Sequence, residues 1–218
     1  MPLDRAWAVL TGNAEDTGAW QPCRNFARGC FGPELMAVTA ETRTDAEGTR
    51  ITLRHPKQGE ITLNPASDSD QLVEWLQPIY PAERPQPHSL ISAPEGGMAD
   101  ASFPALSILS LASLRALGDA LGQELDPRRF RGNLWIDGTE PFAEFDWIGK
   151  TLQIGAVRLQ VVDRITRCRA TETNPDTGAR DANTLKALRE HWGHTDFGIR
   201  AKVLCDGEIA LADTIEVL

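Results

Sequence analysis

Residues 151–171 read TLQIGAVRLQVVDRITRCRAT, and this stretch decides the fold. Leu152 and Ile154, then Val157, Leu159 and Val161, alternate with mostly polar residues. A period of two marks strands that bury one face. The pattern predicts strands over Thr151–Ile154 and 157–162, joined by a turn at Gly155. The second strand runs into Arg164, Arg167, Cys168 and Arg169, a thiol inside a basic island. Neighbouring guanidiniums favour thiolate over thiol, and the thiolate is the form that attacks or binds metal. Their planar forks also grip phosphate. Strand alternation would put Arg167 and Arg169 on the face opposite Cys168. The competing reading is therefore a strand-end cysteine among solvated arginines.

Downstream, 174–178 is a turn-rich loop, and 184–191 is a short helix with Leu185 and Leu188 inward. Residues 197–204 and 208–218 are predicted to form a closing hairpin about Asp206-Gly207. Upstream, 134–136 is a strand ending at Asp137-Gly138. Before it stands a second basic cluster, Arg128, Arg129 and Arg131 around Phe130, which reads as an anion clamp or a solvated loop. Residues 105–109 are a short apolar segment, and Ser110 caps a helix over Leu111–Leu121 with Leu111, Leu114, Leu117 and Leu121 on one face.

The N-terminal half is read more coarsely. Residues 4–10 form a strand, 18–33 are irregular and 34–39 are an apolar run. Strands over 49–54 and 60–63 flank a turn at 55–59, and a helix over 67–77 is capped by Ser67 or Asp68. Residues 78–102 hold five of the fourteen prolines plus Gly96-Gly97, which predicts one long loop without regular structure. Many strands and few helices make the chain mixed α+β and β-rich, with barrel-like character.

The 22 basic against 31 acidic side chains leave a net charge of −9. That balance excludes a general nucleic-acid binder and disfavours an anionic membrane surface, but not a local basic pocket. The longest weakly polar run, 103–117, falls short of a bilayer span. The opening Met-Pro-Leu-Asp-Arg has no leader pattern, so the expected compartment is the cytoplasm. Cys23, Cys30, Cys168 and Cys205 include no C-x2-C pair, which argues against a structural zinc site. His191 and His194 are too few for a metal site alone. No phosphate-binding glycine loop, dinucleotide fingerprint or nucleophile elbow occurs.

Residues 126–218 resemble a MOSC domain. The landmarks are Arg129-Phe130-Arg131-Gly132-Asn133, Pro141-Phe142-Ala143-Glu144 with Trp147-Ile148-Gly149, Leu152-x-Ile154-Gly155, Arg167-Cys168 with Thr171, Asn174-Pro175-Asp176-Thr177-Gly178, and Phe197-Gly198. Upstream, Asp4-Arg5-x-Trp7 and Phe103-Pro104-x-Leu106-Ser107-Ile108 are similar to the β-barrel region that precedes MOSC in the molybdenum-binding branch. The resemblance implies a MOSC β-barrel-like domain over 103–218, packed with an N-terminal β-barrel or α+β region over 1–102 that lacks its first strand. It implies molybdenum cofactor, a molybdopterin, with Cys168 as catalytic thiol and metal ligand or as persulfide carrier. Arg131 and Asn133 would hold the pterin phosphate or edge, with Arg5, Arg167 and Thr171 also at the cofactor. Ser107 and Ser110 match small hydroxyl positions of the site.

Two departures stand out. Cys23 replaces a lysine common after the Trp20-x-Pro22 segment, and Glu172 replaces a second threonine beside Thr171. Three functions follow from the resemblance. The first is a molybdenum-dependent reductase of N-hydroxylated small molecules, fed by a separate electron-donor protein. The second is a sulfur carrier loaded on Cys168 by a pyridoxal-phosphate-dependent cysteine desulfurase. The third is a degenerate, non-catalytic module.

Overall fold

The computed structural model describes residues 3–101 and 103–218. Met1 and Pro2, which open the leader reading, and Ser102, which ends the proline-rich stretch, lie outside the described residues. The chain forms two compact units, Met1–Pro104 with Thr173–Asp181, and Ala105–Glu172 with Ala182–Leu218. Both are mixed α+β and rich in strand.

The first unit contains β1 (Trp7–Thr11), β2 (Thr39–Asp45), β3 (Gly48–His55), β4 (Gly59–Leu63), helix α1 (Ser69–Leu76) and β5 (Pro87–Ser92). Strands β2, β3 and β4 form an antiparallel meander, and β1 pairs with β5 in a two-stranded ribbon. The predicted hairpin at 55–59 is present, with His55 opposite Gly59 at its end. Leu72, Trp75, Leu76 and Ile79 are buried together with Leu63. Their helical spacing is what folds α1 onto the meander.

Two expectations fail here. Residues 78–102 are not one long loop, because β5 lies inside them. Proline is tolerated at the first residue of a strand and on edges, and Pro87 takes that first place. Strand β2 follows a short 3-10 turn over Pro33–Ala37, so the apolar run at 34–39 marks only its approach. β2 itself reads TAETRTD and is exposed throughout, so it carries no hydrophobic signal.

The second unit contains β6 (Leu106–Ser110), α2 (Leu111–Leu121), β7 (Leu134–Ile136), β8 (Thr151–Ile154), β9 (Val157–Thr166), α3 (Thr184–Trp192), β10 (Asp196–Cys205) and β11 (Ile215–Val217). They make one sheet in the order β11-β8-β9-β10-β6-β7. Only β6 and β7 run parallel, with α2 as the crossover between them. Along β9, Val157, Leu159 and Val161 are buried while Arg158 and Gln160 are exposed. The alternation read from sequence is thus the sheet's inner face. Phe130, Phe197, Ile108, Leu109, Leu117 and Ile199 fill the core beside it.

The predicted closing hairpin is not formed. β11 pairs with β8 at the far edge, Ile215 against Ile154, and not with β10. β10 is flanked by β9 and β6, so both of its edges are already paired. β8 pairs with β9 on one side only, and its other edge takes the last segment. Strand β9 also runs four residues beyond its predicted end, to Thr166, which brings the ladder almost to Cys168.

Candidate functional site

The cysteine segment begins where the β9–β10 ladder ends. Thr166 pairs with Asp196, and its hydroxyl donates to Asp196 Oδ1 at 2.7 Å. The Arg167 N–H donates to the Thr195 carbonyl at 2.9 Å, so pairing continues one residue past the strand. The Arg167 side chain is half-buried. Its Nε donates to the Phe197 carbonyl at 2.7 Å and its Nη1 to the Phe130 carbonyl at 3.0 Å. The guanidinium also lies 5.6 and 6.0 Å from the centres of the Phe130 and Phe197 rings. Those two rings stack 4.1 Å apart. One guanidinium therefore ties together the cysteine segment, the 3-10 turn Pro127–Phe130 and β10.

After Cys168 the chain makes a tight turn over Arg169–Glu172. The Thr171 N–H and hydroxyl both donate to the Cys168 carbonyl, at 3.3 and 3.2 Å. Thr171 Oγ1 also meets Thr184 Oγ1, at the start of α3, at 2.7 Å. Both threonines are buried. Since the Thr171 proton goes to the carbonyl, Thr184 is the donor of that second bond. The Glu172 carboxylate accepts from Arg169 Nε at 2.8 Å, which neutralises it within the turn. The Cys168 side chain itself is exposed.

The second basic cluster is built alongside. Turn Pro127–Phe130 packs against turn Arg169–Glu172. Arg131 follows it with φ +50°, in the left-handed region that non-glycine residues seldom enter. The Arg131 side chain is exposed, and no described carboxylate pairs with it. At Gly132 a Cβ would lie 2.5 Å from Leu109 Cδ1, so a larger residue would have to push that buried leucine aside. Asn133 then locks onto β6. Its Oδ1 accepts from the Ser107 N–H (3.0 Å) and hydroxyl (2.8 Å), while its own N–H donates back to Ser107 Oγ at 2.9 Å.

Cys168, Arg167, Thr171 and the Arg131 turn are thus knitted into one corner of the second unit, with Ser107 and Asn133 bonded to each other at the start of β6. Ser110 is placed differently. It is fully buried, and its hydroxyl accepts from the Ser113 N–H at 3.2 Å as the cap of α2. Arg5 belongs to the first unit, where it pairs with Asp4 and its carbonyl accepts from the Met98 N–H at 2.9 Å.

Two further titratable groups of the second unit have shifted pKa values. The sequence offers His194 only together with His191, two ligands that are too few for a metal site. His194 lies just before Thr195, whose carbonyl accepts from the Arg167 N–H. Its Nδ1 accepts from the Asp196 N–H at 3.2 Å, and its ring meets Phe142 and Phe145 edge-on. Burial lowers its pKa and the Arg164 charge adds to that, while Asp196 opposes both. Glu144, from the Pro141-Phe142-Ala143-Glu144 landmark, is fully buried beside the Ser113 hydroxyl at 3.3 Å. Burial pushes its carboxyl above the ordinary range. Among the described residues no group of three or more His, Cys, Asp or Glu side chains is placed to hold a metal ion. No helix among them is long and apolar enough to cross a membrane.

Comparison with known proteins bears on this corner. The human mitochondrial amidoxime-reducing component 1 is 34% identical over 119 residues, covering 53% of this chain and 35% of that protein. A molybdenum cofactor sulfurase from Danio rerio is 37% identical over 73 residues, covering 33% of this chain and 8% of that protein. The chain thus spans about a third or less of the length of these curated relatives. The structure of YiiM from Geobacillus stearothermophilus aligns with a TM-score of 0.39 and 16% identity, over 52% of this chain and 53% of that one. The family model described as the MOSC domain matches residues 98–216, a span that holds both arginine turns, the cysteine between its strands and the glycine contacts that seat them. With more than half of its length inside that match, the chain belongs to the MOSC domain family.

Proposed function

We propose that this protein binds molybdenum cofactor at the Cys168 corner and reduces N-hydroxylated small molecules there. A function related to molybdenum cofactor is what the family and the relatives named above support in general terms. The observation that carries the finer reading is an exposed thiol on a turn that Arg167 fastens beside the exposed Arg131 fork. The donor set fits the group. Thiolate sulfur is a soft ligand suited to a thiolate-rich metal centre, and a planar guanidinium suits a phosphorylated pterin tail. The fixed positive charge sits in a chain of net −9, so it is local rather than general.

In this reading Cys168 ligates the metal and Arg131 grips the phosphate. Arg167 and Thr171 act on the cysteine by holding its backbone, and Ser107 with Asn133 fixes the strand beside it. When bound, the cofactor supplies two-electron oxygen-atom transfer, with electrons from a separate redox protein. The test is molybdenum and pterin content of protein made in a cofactor-producing host, beside Cys168→Ala. Stoichiometric metal and pterin in the wild type, with metal lost from the variant, supports the proposal. Folded wild type carrying neither refutes it.

A second reading is a sulfur carrier, in which Cys168 takes sulfane sulfur from a cysteine desulfurase. Exposure of the thiol favours it, since an acceptor sulfur must meet a partner's sulfur directly. Persulfide on Cys168 without pterin would select this reading over the first.

A further inference from the structure

We propose that Arg28 and Arg84, gathered around Phe31 in the first unit, form a binding site for a small oxyanion. The two guanidinium carbons lie 4.4 and 4.8 Å from the centre of the same ring. They come from separate segments, each fixed by its own bonds. The Arg28 carbonyl accepts from the N–H groups of Phe31 (3.0 Å) and Gly32 (2.9 Å), closing a turn. A Cβ at Gly32 would lie 2.8 Å from the Tyr80 ring, so that turn presses directly on Tyr80. Gln86 Nε2 donates to the Arg84 and Pro81 carbonyls, at 2.7 and 2.8 Å, and holds the second segment.

The electrostatics of this cluster are incomplete. Among the described residues neither guanidinium has a carboxylate partner. Arg28 Nη1 donates to Cys23 Sγ at 2.7 Å, but its Nε is buried with no acceptor. Burial pushes the Tyr80 phenol up, and the charges of Arg28 and Arg84 both pull it back. Both cations therefore bear on the same phenol oxygen. Cation–π contact attracts each guanidinium to the ring face but cancels no charge and accepts only weakly from an N–H. The ring edge is the positive end of its quadrupole, so it favours an anion too. Phosphate, sulfate or a carboxylate supplies what is missing: negative charge and several acceptor oxygens in fork geometry. None of these residues belongs to the Cys168 corner, so the inference stands apart from the proposed function.

The experiment is a titration of the full chain with inorganic phosphate and, separately, with acetate, at ionic strength held constant with chloride. Binding is read by calorimetry, and by protection of Cys23 from iodoacetamide. Arg84→Gln and Arg131→Gln are run beside the wild type. The expected result is saturable protection of Cys23 from alkylation, with its midpoint raised at least tenfold by Arg84→Gln and not moved by Arg131→Gln, and a heat of binding that Arg84→Gln reduces. Stronger binding of phosphate than acetate assigns the site to phosphate-bearing ligands, and the reverse to carboxylates. Absence of saturable binding overturns the proposal. So does equal affinity in Arg84→Gln, or a loss confined to Arg131→Gln, which would assign the ion to the Cys168 corner.

Discussion

Replacing Arg167 by alanine removes one side chain that serves three segments at once. Its two hydrogen bonds reach the carbonyls of Phe130 and Phe197, both buried residues. A hydrogen bond to a charged group contributes about 1.5–3 kcal/mol, and a buried carbonyl left bare loses its compensation for desolvation. Arg167 is only half-buried and water can reach part of the gap, so we expect a loss of about 2–4 kcal/mol rather than the full sum. That is a large share of the ~5–15 kcal/mol typical of a domain. Arg167→Lys keeps the charge but reaches one carbonyl at a time, so it should retain about half of the difference. The assay is guanidinium chloride unfolding of the three proteins, with molybdenum content measured on the folded fraction. The positioning role predicts that stability and metal content fall together and that lysine restores both in part. A loss below about 1 kcal/mol for alanine would refute the reasoning. Unchanged stability with lost metal would mean that Arg167 touches the cofactor instead.

Arg131→Gln should behave oppositely to Arg167→Ala. Its side chain is exposed and no described carboxylate pairs with it, so unfolding should shift by less than about 0.5 kcal/mol, while pterin content drops; a matching loss of stability would count against a ligand-facing role. Glu144→Gln tests the buried carboxyl. Because burial raises its folded pKa, the protonated group stabilises fully below the ordinary glutamate range, and that contribution is lost as pH rises through the raised value. The variant should therefore gain on the wild type with rising pH, and a flat difference in melting temperature from pH 4 to about 9 would refute the assignment. Gly198→Ala should destabilise strongly, because φ is +79° and a Cβ would lie 2.7 Å from the Ile108 carbonyl oxygen. We expect about 2–5 kcal/mol from left-handed strain and overpacking combined, and a change under 1 kcal/mol by thermal unfolding would contradict the geometry.

What the sequence made legible follows from where burial writes a period. β9 is buried on one face only, so Val157, Leu159 and Val161 announced it. α2 is announced by its leucine face and by Ser110, which caps it as expected. β2 is exposed on both faces and left nothing to read. β5 is masked by the prolines around it, since Pro87 opens the strand rather than interrupting it. The path of the last segment to β8 depends on which sheet edge is free, a property of the assembled sheet and not of residues 206–218 themselves. The thiol and its arginines were visible as a charge anomaly in an acidic chain. Which carbonyl each arginine serves was not, because Phe130, Arg167 and Phe197 are distant in sequence and meet only through the fold.

The same corner shows why its polar residues are not interchangeable candidates for binding. A donor already bonded to a protein carbonyl is spent, and a ligand would have to displace that bond to use it. Thr171 gives its hydroxyl to the Cys168 carbonyl, and Ser107 and Asn133 exchange bonds with each other. Glu172 and Arg169 cancel one another within the turn, so the unusual acid beside Thr171 adds no uncompensated charge. Cys168 and Arg131 differ in presenting exposed side chains from backbones that these bonds hold. In the proposed reading, such a division, with donors bonded inward and two exposed side chains carried on the backbone they hold, would organise the site before a ligand arrives. Substitutions in the inward set should therefore register first as lost stability, and in the outward set first as lost ligand.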